Sequence, residues 1–205
     1  MNRSDLASTI AQRTGVSVKD ASAVIAEGEV LQLTAAASLA TTEGVYLQVI
    51  RGKTAALFAA ATEVGGVIAG APEDRVEALR DYGDALGIAF QIVDDILDYS
   101  GATETIGKNV GDDLREGKPT LPLIYLMEHG TPEQRELVRT CIEQGDEQHF
   151  DAVLSAVTSS GALDYTRREA ESAARRAADA IADLPESVYK QSLLQLCSFA
   201  VDRNH

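Results

Sequence analysis

Gln91, Asp94, Asp95 and Asp98 are four oxygen-bearing side chains set inside the apolar run Gly87-Ile88-Ala89-Phe90-Gln91-Ile92-Val93-Asp94-Asp95-Ile96-Leu97-Asp98. On a helix they stand at i, i+3, i+4 and i+7 and share one face. Three carboxylates that close repel one another, and some take up protons unless a cation sits among them. Their ligand atoms are hard oxygens, which suit Mg²⁺ or a similar ion such as Mn²⁺ better than zinc. A water-facing acidic stripe is the alternative for such a pattern. Here Ile88, Ile92, Val93, Ile96 and Leu97 crowd the same helix and leave little of its circumference for water. Asp is also a poor helix-interior residue, so three within five positions is a local cost that a metal site explains.

Cations that could meet such a site lie elsewhere in the chain. Lys53, followed by Thr54, has Tyr46, Ile50 and Leu57 at −7, −3 and +4, so it sits on or beside the apolar stripe of its helix. It either snorkels at the stripe's edge or points inward to pair with an anion. Gly107-Lys108 and Gly117-Lys118 each place a lysine beside a residue without a side chain, which lets backbone approach a ligand. Solvated loop charge is the plainer reading of those two lysines. Taken with the carboxylates, they make a mixed site in which acids hold Mg²⁺, and Mg²⁺ and lysine together hold a polyphosphate. Glu27 falls within an apolar stripe and is expected to make an interhelical hydrogen bond. His129, His149 and His205 suggest no nucleophile–base arrangement.

The elements that must carry these residues read as helices almost throughout. Alternating β-branched segments and Asn-Gly hairpin turns are absent. Helices are expected from about Lys19 to Thr41, from Glu43 to Val64, and from Pro72 through Tyr99. Gly65-Gly66 either ends the second or lets it pack closely on a neighbour. Pro119 or Pro122 opens a short helix ending at His129-Gly130, and Thr131-Pro132-Glu133-Gln134 is a start signal for the next. Further helices follow Gly145, run from Gly161 to Leu184, and run from Glu186 to Val201. Between Ser100 and Thr120 the pattern breaks into a glycine-rich loop directly after the carboxylate helix, and a loop that long inside a helical domain is often functional.

Composition narrows the classes. The 205 residues suffice for one all-α domain with a sizeable core. Lys+Arg 18 against Asp+Glu 32 gives 18 − 32 = −14, with no basic block, which argues against a nucleic-acid partner. Cys141 and Cys197 lie far apart without metal spacing and read as buried free thiols in a reducing compartment. No apolar run reaches membrane-spanning length, and the first residues lack a signal peptide's apolar core, so a cytoplasmic protein is expected.

Gly87-x-x-Phe90-Gln91-x-x-Asp94-Asp95-x-x-Asp98 resembles the second aspartate-rich motif of the trans-isoprenyl diphosphate synthases, the polyprenyl synthetase family. Three further stretches resemble its long-chain bacterial branch in family order: Ala26-Glu27-Gly28-Glu29-Val30-Leu31-Gln32-Leu33; Lys53-Thr54-Ala55-x-Leu57-Phe58; and Gly107-Lys108-Asn109-Val110-Gly111-Asp112-Asp113-Leu114-x-Glu116-Gly117-Lys118-Pro119-Thr120-Leu121-Pro122. The resemblance covers residues 22–205, while residues 1–20 match poorly. It implies a helical bundle of the isoprenoid synthase type. It also implies a reaction in which an allylic diphosphate ionises, the double bond of isopentenyl diphosphate attacks the carbocation, and a proton leaves. By resemblance Asp94 ligates Mg²⁺, with Asp95 and Asp98 as ligands or water-mediated partners. Lys53, Lys108 and Lys118 hold the allylic diphosphate, Thr54 and Gln91 add hydrogen bonds, and Asp112 supports the loop. Lys53, Gln91, Asp94 and Lys108 are the expected catalytic set.

The family's first aspartate-rich motif and its earlier Gly-Lys-Arg region are not found in this sequence. The resemblance is therefore to the C-terminal part of such an enzyme, and an N-terminally truncated bundle is expected. Two expectations follow. One is a partial prenyltransferase that keeps one wall of the diphosphate site and does not turn over alone. The other is a non-catalytic helical module that forms a homodimer or pairs with a longer subunit.

Overall fold

The structure, a computed structural model, describes residues 41–100, 111–144 and 149–203. Residues 19–40 of the helix expected from Lys19 to Thr41, with Glu27, and Lys108 lie outside the described residues; Thr41 itself is described and is not helical. Every regular element among those described is helical.

The helix α1 (Glu43–Ile50) starts at Thr42, whose hydroxyl accepts the Val45 amide at 3.4 Å. The chain then widens into a π-helical turn, Arg51–Ala55, and continues as α2 (Ala56–Ile68). The expected helix from Glu43 is thus one rod that runs on to Ile68, with its wide turn at Lys53-Thr54. Gly65-Gly66 does not end it. A Cβ on Gly66 would lie 3.0 Å from Leu79 Cδ1, so this glycine serves close packing on the next helix.

That next helix, α3 (Glu73–Ser100), follows Pro72 and spans 28 residues. Its middle is deeply buried: Tyr82 and Ala89 are fully covered, and Ile88, Ile92, Val93 and Ile96 nearly so. Two glycines one turn apart let its backbone lie on the α1–α2 rod. A Cβ on Gly83 would come within 2.5 Å of the Phe58 carbonyl oxygen, and one on Gly87 within 2.5 Å of Ala55 Cα. This contact brings the π turn against the carboxylate helix.

Within the described part of the stretch expected as loop, residues 111–120, the structure places one short turn, α4 (Asp112–Arg115), entered from Gly111 at φ 79°. Such a left-handed backbone is open to glycine at no steric cost. Then α5 (Leu121–His129) opens after Thr120 with Pro122 in its first turn. The start signal before α6 (Pro132–Gln144) is a reciprocal capping box. The Gln134 amide donates to Thr131 Oγ1 at 3.2 Å, and the Thr131 amide donates to Gln134 Oε1 at 2.8 Å.

The remaining helices are α7 (Phe150–Ser159), α8 (Ala162–Ala180) and α9 (Val188–Val201). The buried face of α8 is made of Ala170, Ala173, Ala174 and Ala177, small enough to seat the broad apolar face of α3. One apolar cluster joins α1, α2, α3, α8 and α9. A second gathers Tyr99, Leu114, Leu123, Leu126, Phe150 and Val153 beneath α4. The turn from α8 to α9 is tied by Lys190, 7% exposed. Its ammonium donates to the carbonyls of Ala182 at 2.6 Å and Leu184 at 2.8 Å and pairs with Glu186 at 2.7 Å, which uses all three donors. Cys141 and Cys197 are free and buried, as their surroundings in the sequence predict.

Candidate active site

A cavity of about 270 Å³ opens between α1, the π turn, α3 and the segment that runs from α4 to α5. Lys53, Gln91, Asp94, Asp95 and Lys118, singled out by type and spacing, meet in its lining. Thr41, Tyr46, Asp113 and Thr120 complete the polar part of the wall. Asp98 does not line it.

A continuous hydrogen-bonded path crosses from the rod to α3. Thr54 Oγ1 donates to Gln91 Oε1 at 2.9 Å, and Gln91 Nε2 donates to Asp95 Oδ1 at 3.0 Å. Tyr46 donates its phenol proton to Asp95 Oδ2 at 2.7 Å. Gln91 is thereby fixed at both ends of its amide. The π turn matters here, since an added residue in one helical turn re-aims the side chains it carries. It presents Lys53 to the cavity and Thr54 to Gln91.

The three acids divide. Asp95 is 2% exposed and both its oxygens accept protein donors. Burial pushes its carboxyl up to about 7, against the hydrogen bond from Tyr46 and with the neighbouring charge of Asp113. Asp98 is also buried. Its two oxygens accept the amides of Asp112 at 3.1 Å and Asp113 at 3.2 Å, and burial raises it to about 6. Asp94 faces the cavity. Among the described residues no three His, Cys, Asp or Glu side chains are grouped to hold an ion by themselves. Mg²⁺ in particular commonly takes one or two carboxylates and completes its shell with water and substrate phosphate. A wall with Asp94 in front and buried, hydrogen-bonded Asp95 behind fits that pattern of use.

On the opposite side Lys118 pairs with Asp113 at 2.9 Å and with Glu116. Burial opposes its charge, but the two carboxylates beside it hold the ammonium protonated above its ordinary range. Asp112, expected to support the loop, pairs with Arg115 at 2.8 Å. Lysines from two elements thus flank a carboxylate-bearing helix, an arrangement suited to a polyanion that arrives with a divalent cation.

Residues 7–158 match the family model described as polyprenyl synthetase. The chain belongs to the polyprenyl synthetase family. An octaprenyl diphosphate synthase of Haemophilus influenzae is 50% identical over 187 residues, covering 91% of this chain and 57% of that protein. The crystal structure of a decaprenyl diphosphate synthase from Rhodobacter capsulatus matches with a TM-score of 0.84 at 54% identity, over 92% of this chain and 58% of that one. A polyprenyl synthase from Caulobacter crescentus, complexed with calcium and isoprenyl diphosphate, matches with a TM-score of 0.86 at 47% identity. This chain spans little more than half the length of such relatives. The motif-based resemblance and the all-α isoprenoid synthase fold are both borne out.

Tyr46, Asp113 and Thr120 line the cavity, and Arg203 packs near it on Phe90, although residue types and spacing did not single them out. Tyr46 was legible only as an apolar-stripe position seven before Lys53. Asp113 stood in the loop's Asp-Asp pair without a sign of which acid faces inward. Arg203 comes from the far end of the described chain. Its guanidinium lies 3.8 Å over the Phe90 ring and donates to the Phe90 carbonyl at 3.0 Å. Burial lowers its pKa while nearby Asp94 raises it. No local pattern in the sequence announces a contact across that separation.

Proposed function

We propose that this chain forms one wall of a divalent-metal-dependent allylic diphosphate site, serving chain elongation with isopentenyl diphosphate to a long-chain polyprenyl diphosphate. The observation that carries the reading is the meeting of Lys53 and Lys118 with Asp94 and Asp95 around one cavity. Lys53 and Lys118 hold phosphate oxygens, and Lys108 is assigned to the same task by the motif it shares with the family. Thr54 and Gln91, bonded to each other, add hydrogen bonds to the ligand. Asp94 is the ion-facing ligand, with Asp95 and Asp98 behind it. Bound Mg²⁺, or Mn²⁺, supplies Lewis-acid stabilisation of the charge that develops on departing diphosphate. The calcium and isoprenyl diphosphate in the Caulobacter relative support the pairing of a hard cation with this ligand class. The buried free thiols support a reducing, cytoplasmic setting.

Binding and turnover separate in this reading. Calorimetry with a non-ionising allylic diphosphate analogue is expected to show Mg²⁺-dependent heat that Asp94→Ala removes. Equal heats for the two proteins would sink the assignment of Asp94. With labelled allylic diphosphate and isopentenyl diphosphate, the isolated 205-residue chain is expected to bind but not elongate, because its sequence holds no first aspartate-rich motif to form a second acidic wall. Robust elongation would overturn that part.

One observation favours a second reading, a helical subunit that pairs with itself or with a longer synthase chain. On α9, Val188, Tyr189, Leu196 and Phe199 are exposed, Phe199 by 64%.

A further inference from the structure

We infer that Asp98 and Tyr99 are positioning residues that together clasp the segment 111–120 and so set Lys118 and Asp113 at the cavity. The inference rests on the diphosphate reading above for its ligand, and on geometry for everything else. Asp98 grips the start of the segment with three acceptors. Its backbone carbonyl accepts the Gly111 amide at 2.8 Å, and its carboxylate oxygens accept the amides of Asp112 and Asp113. A carboxylate accepting amide hydrogens is a charge-assisted pairing and stronger than a neutral one. Tyr99, the next residue, grips the end of the segment. It is 3% exposed, and its hydroxyl meets Thr120 Oγ1 at 3.0 Å.

Between these two grips the segment is nearly self-determined. The Lys118 amide donates to the Asp113 carbonyl at 2.9 Å, and the Lys118 ammonium pairs with the Asp113 carboxylate. Leu114 is buried beneath it. Gly111 lies so close to Phe150 that a Cβ there would come within 2.8 Å of the ring's Cζ, and the Arg115 guanidinium covers the same ring at 4.5 Å. The segment therefore has little freedom except where α3 holds it. Asp98 spends both carboxylate oxygens on this hold and lies off the cavity lining, so its place in the acidic motif is explained without direct contact with an ion.

The test is a double-variant cycle read by calorimetry with Mg²⁺ and inorganic pyrophosphate, together with hydrogen exchange. Asp98→Asn turns one acceptor into a donor facing an amide. It is expected to weaken pyrophosphate binding about tenfold and to lose exchange protection at residues 111–113, while amides of α8 stay protected. Because the effect runs through Lys118, Asp98→Asn combined with Lys118→Ala is expected to bind no more weakly than Lys118→Ala alone. Tyr99→Phe is expected to release Thr120 with a smaller loss in affinity. Fully additive losses would overturn the clasp, as would an Asp98→Asn protein that loses Mg²⁺ binding with its segment still protected. If the parent chain binds no pyrophosphate, the diphosphate reading fails. The exchange pattern alone then decides the clasp, which unchanged protection of 111–113 in Asp98→Asn would refute.

Discussion

At the residue scale, the site is governed by how burial handles carboxylates. Asp95 and Asp98 hold their protons more tightly in the folded chain than unfolded, at about 7 and about 6. Their contribution to stability is full below about pH 4, where both states are protonated. It is lost as pH rises through those folded values, since the unfolded chain then releases protons first. Without divalent cations, the chain is expected to lose more stability between pH 5 and pH 8 than its Asp95→Asn variant does. Urea midpoints at the two pH values measure this, and an equal or steeper loss in the variant would refute it. The physical cause is desolvation first and neighbouring acids second, so a cation placed beside Asp94 opposes the loss.

At the element scale, the decisive feature is the near contact between α3 and the rod of α1, π turn and α2. Gly83 and Gly87 make it possible, and Thr54 reaches Gln91 only because of it. Gly83→Ala and Gly87→Ala each place a methyl group against main chain that has no rotamer to yield. Each is expected to cost about 1–3 kcal/mol in chemical denaturation. Gly87→Ala, one turn from Gln91, is expected in addition to weaken Mg²⁺-dependent diphosphate binding. Gly83→Ala, farther along, is expected to leave binding nearer the parent's. A Gly87→Ala protein as stable as the parent would show that the helices do not lie this close.

At the scale of the molecule, two apolar clusters meet at α3 and α5, which contribute residues to both. One backs the carboxylate face and the other supports the segment that carries Lys118. No described helix is long and apolar enough to cross a membrane. The exposed apolar residues of α9 belong to this scale, because association is one way to cover them. If the subunit reading holds, light scattering at micromolar concentration is expected to report a mass above that of one chain, and Phe199→Glu to shift it toward one. A parent chain that stays monomeric throughout would remove that reading.

Much of this was legible in residue types and spacing. Period-3.6 patterning is a local property, so the helices from Glu43, from Pro72 and from Gly161 could be read directly, as could the capping box at Thr131 and Gln134. The carboxylate face was legible for the same reason, because spacing on a helix dictates which side chains share a side. Folding decided what lies opposite that face. Tyr46 on Asp95, the division of the three acids, the turn α4 and Arg203 over Phe90 all depend on contacts between distant parts of the chain. A carboxylate's surroundings are its burial and its donors. In this protein tertiary packing sets both, and it left Asp94 facing the cavity, Asp95 buried between Tyr46 and Gln91, and Asp98 bonded to the amides of Asp112 and Asp113.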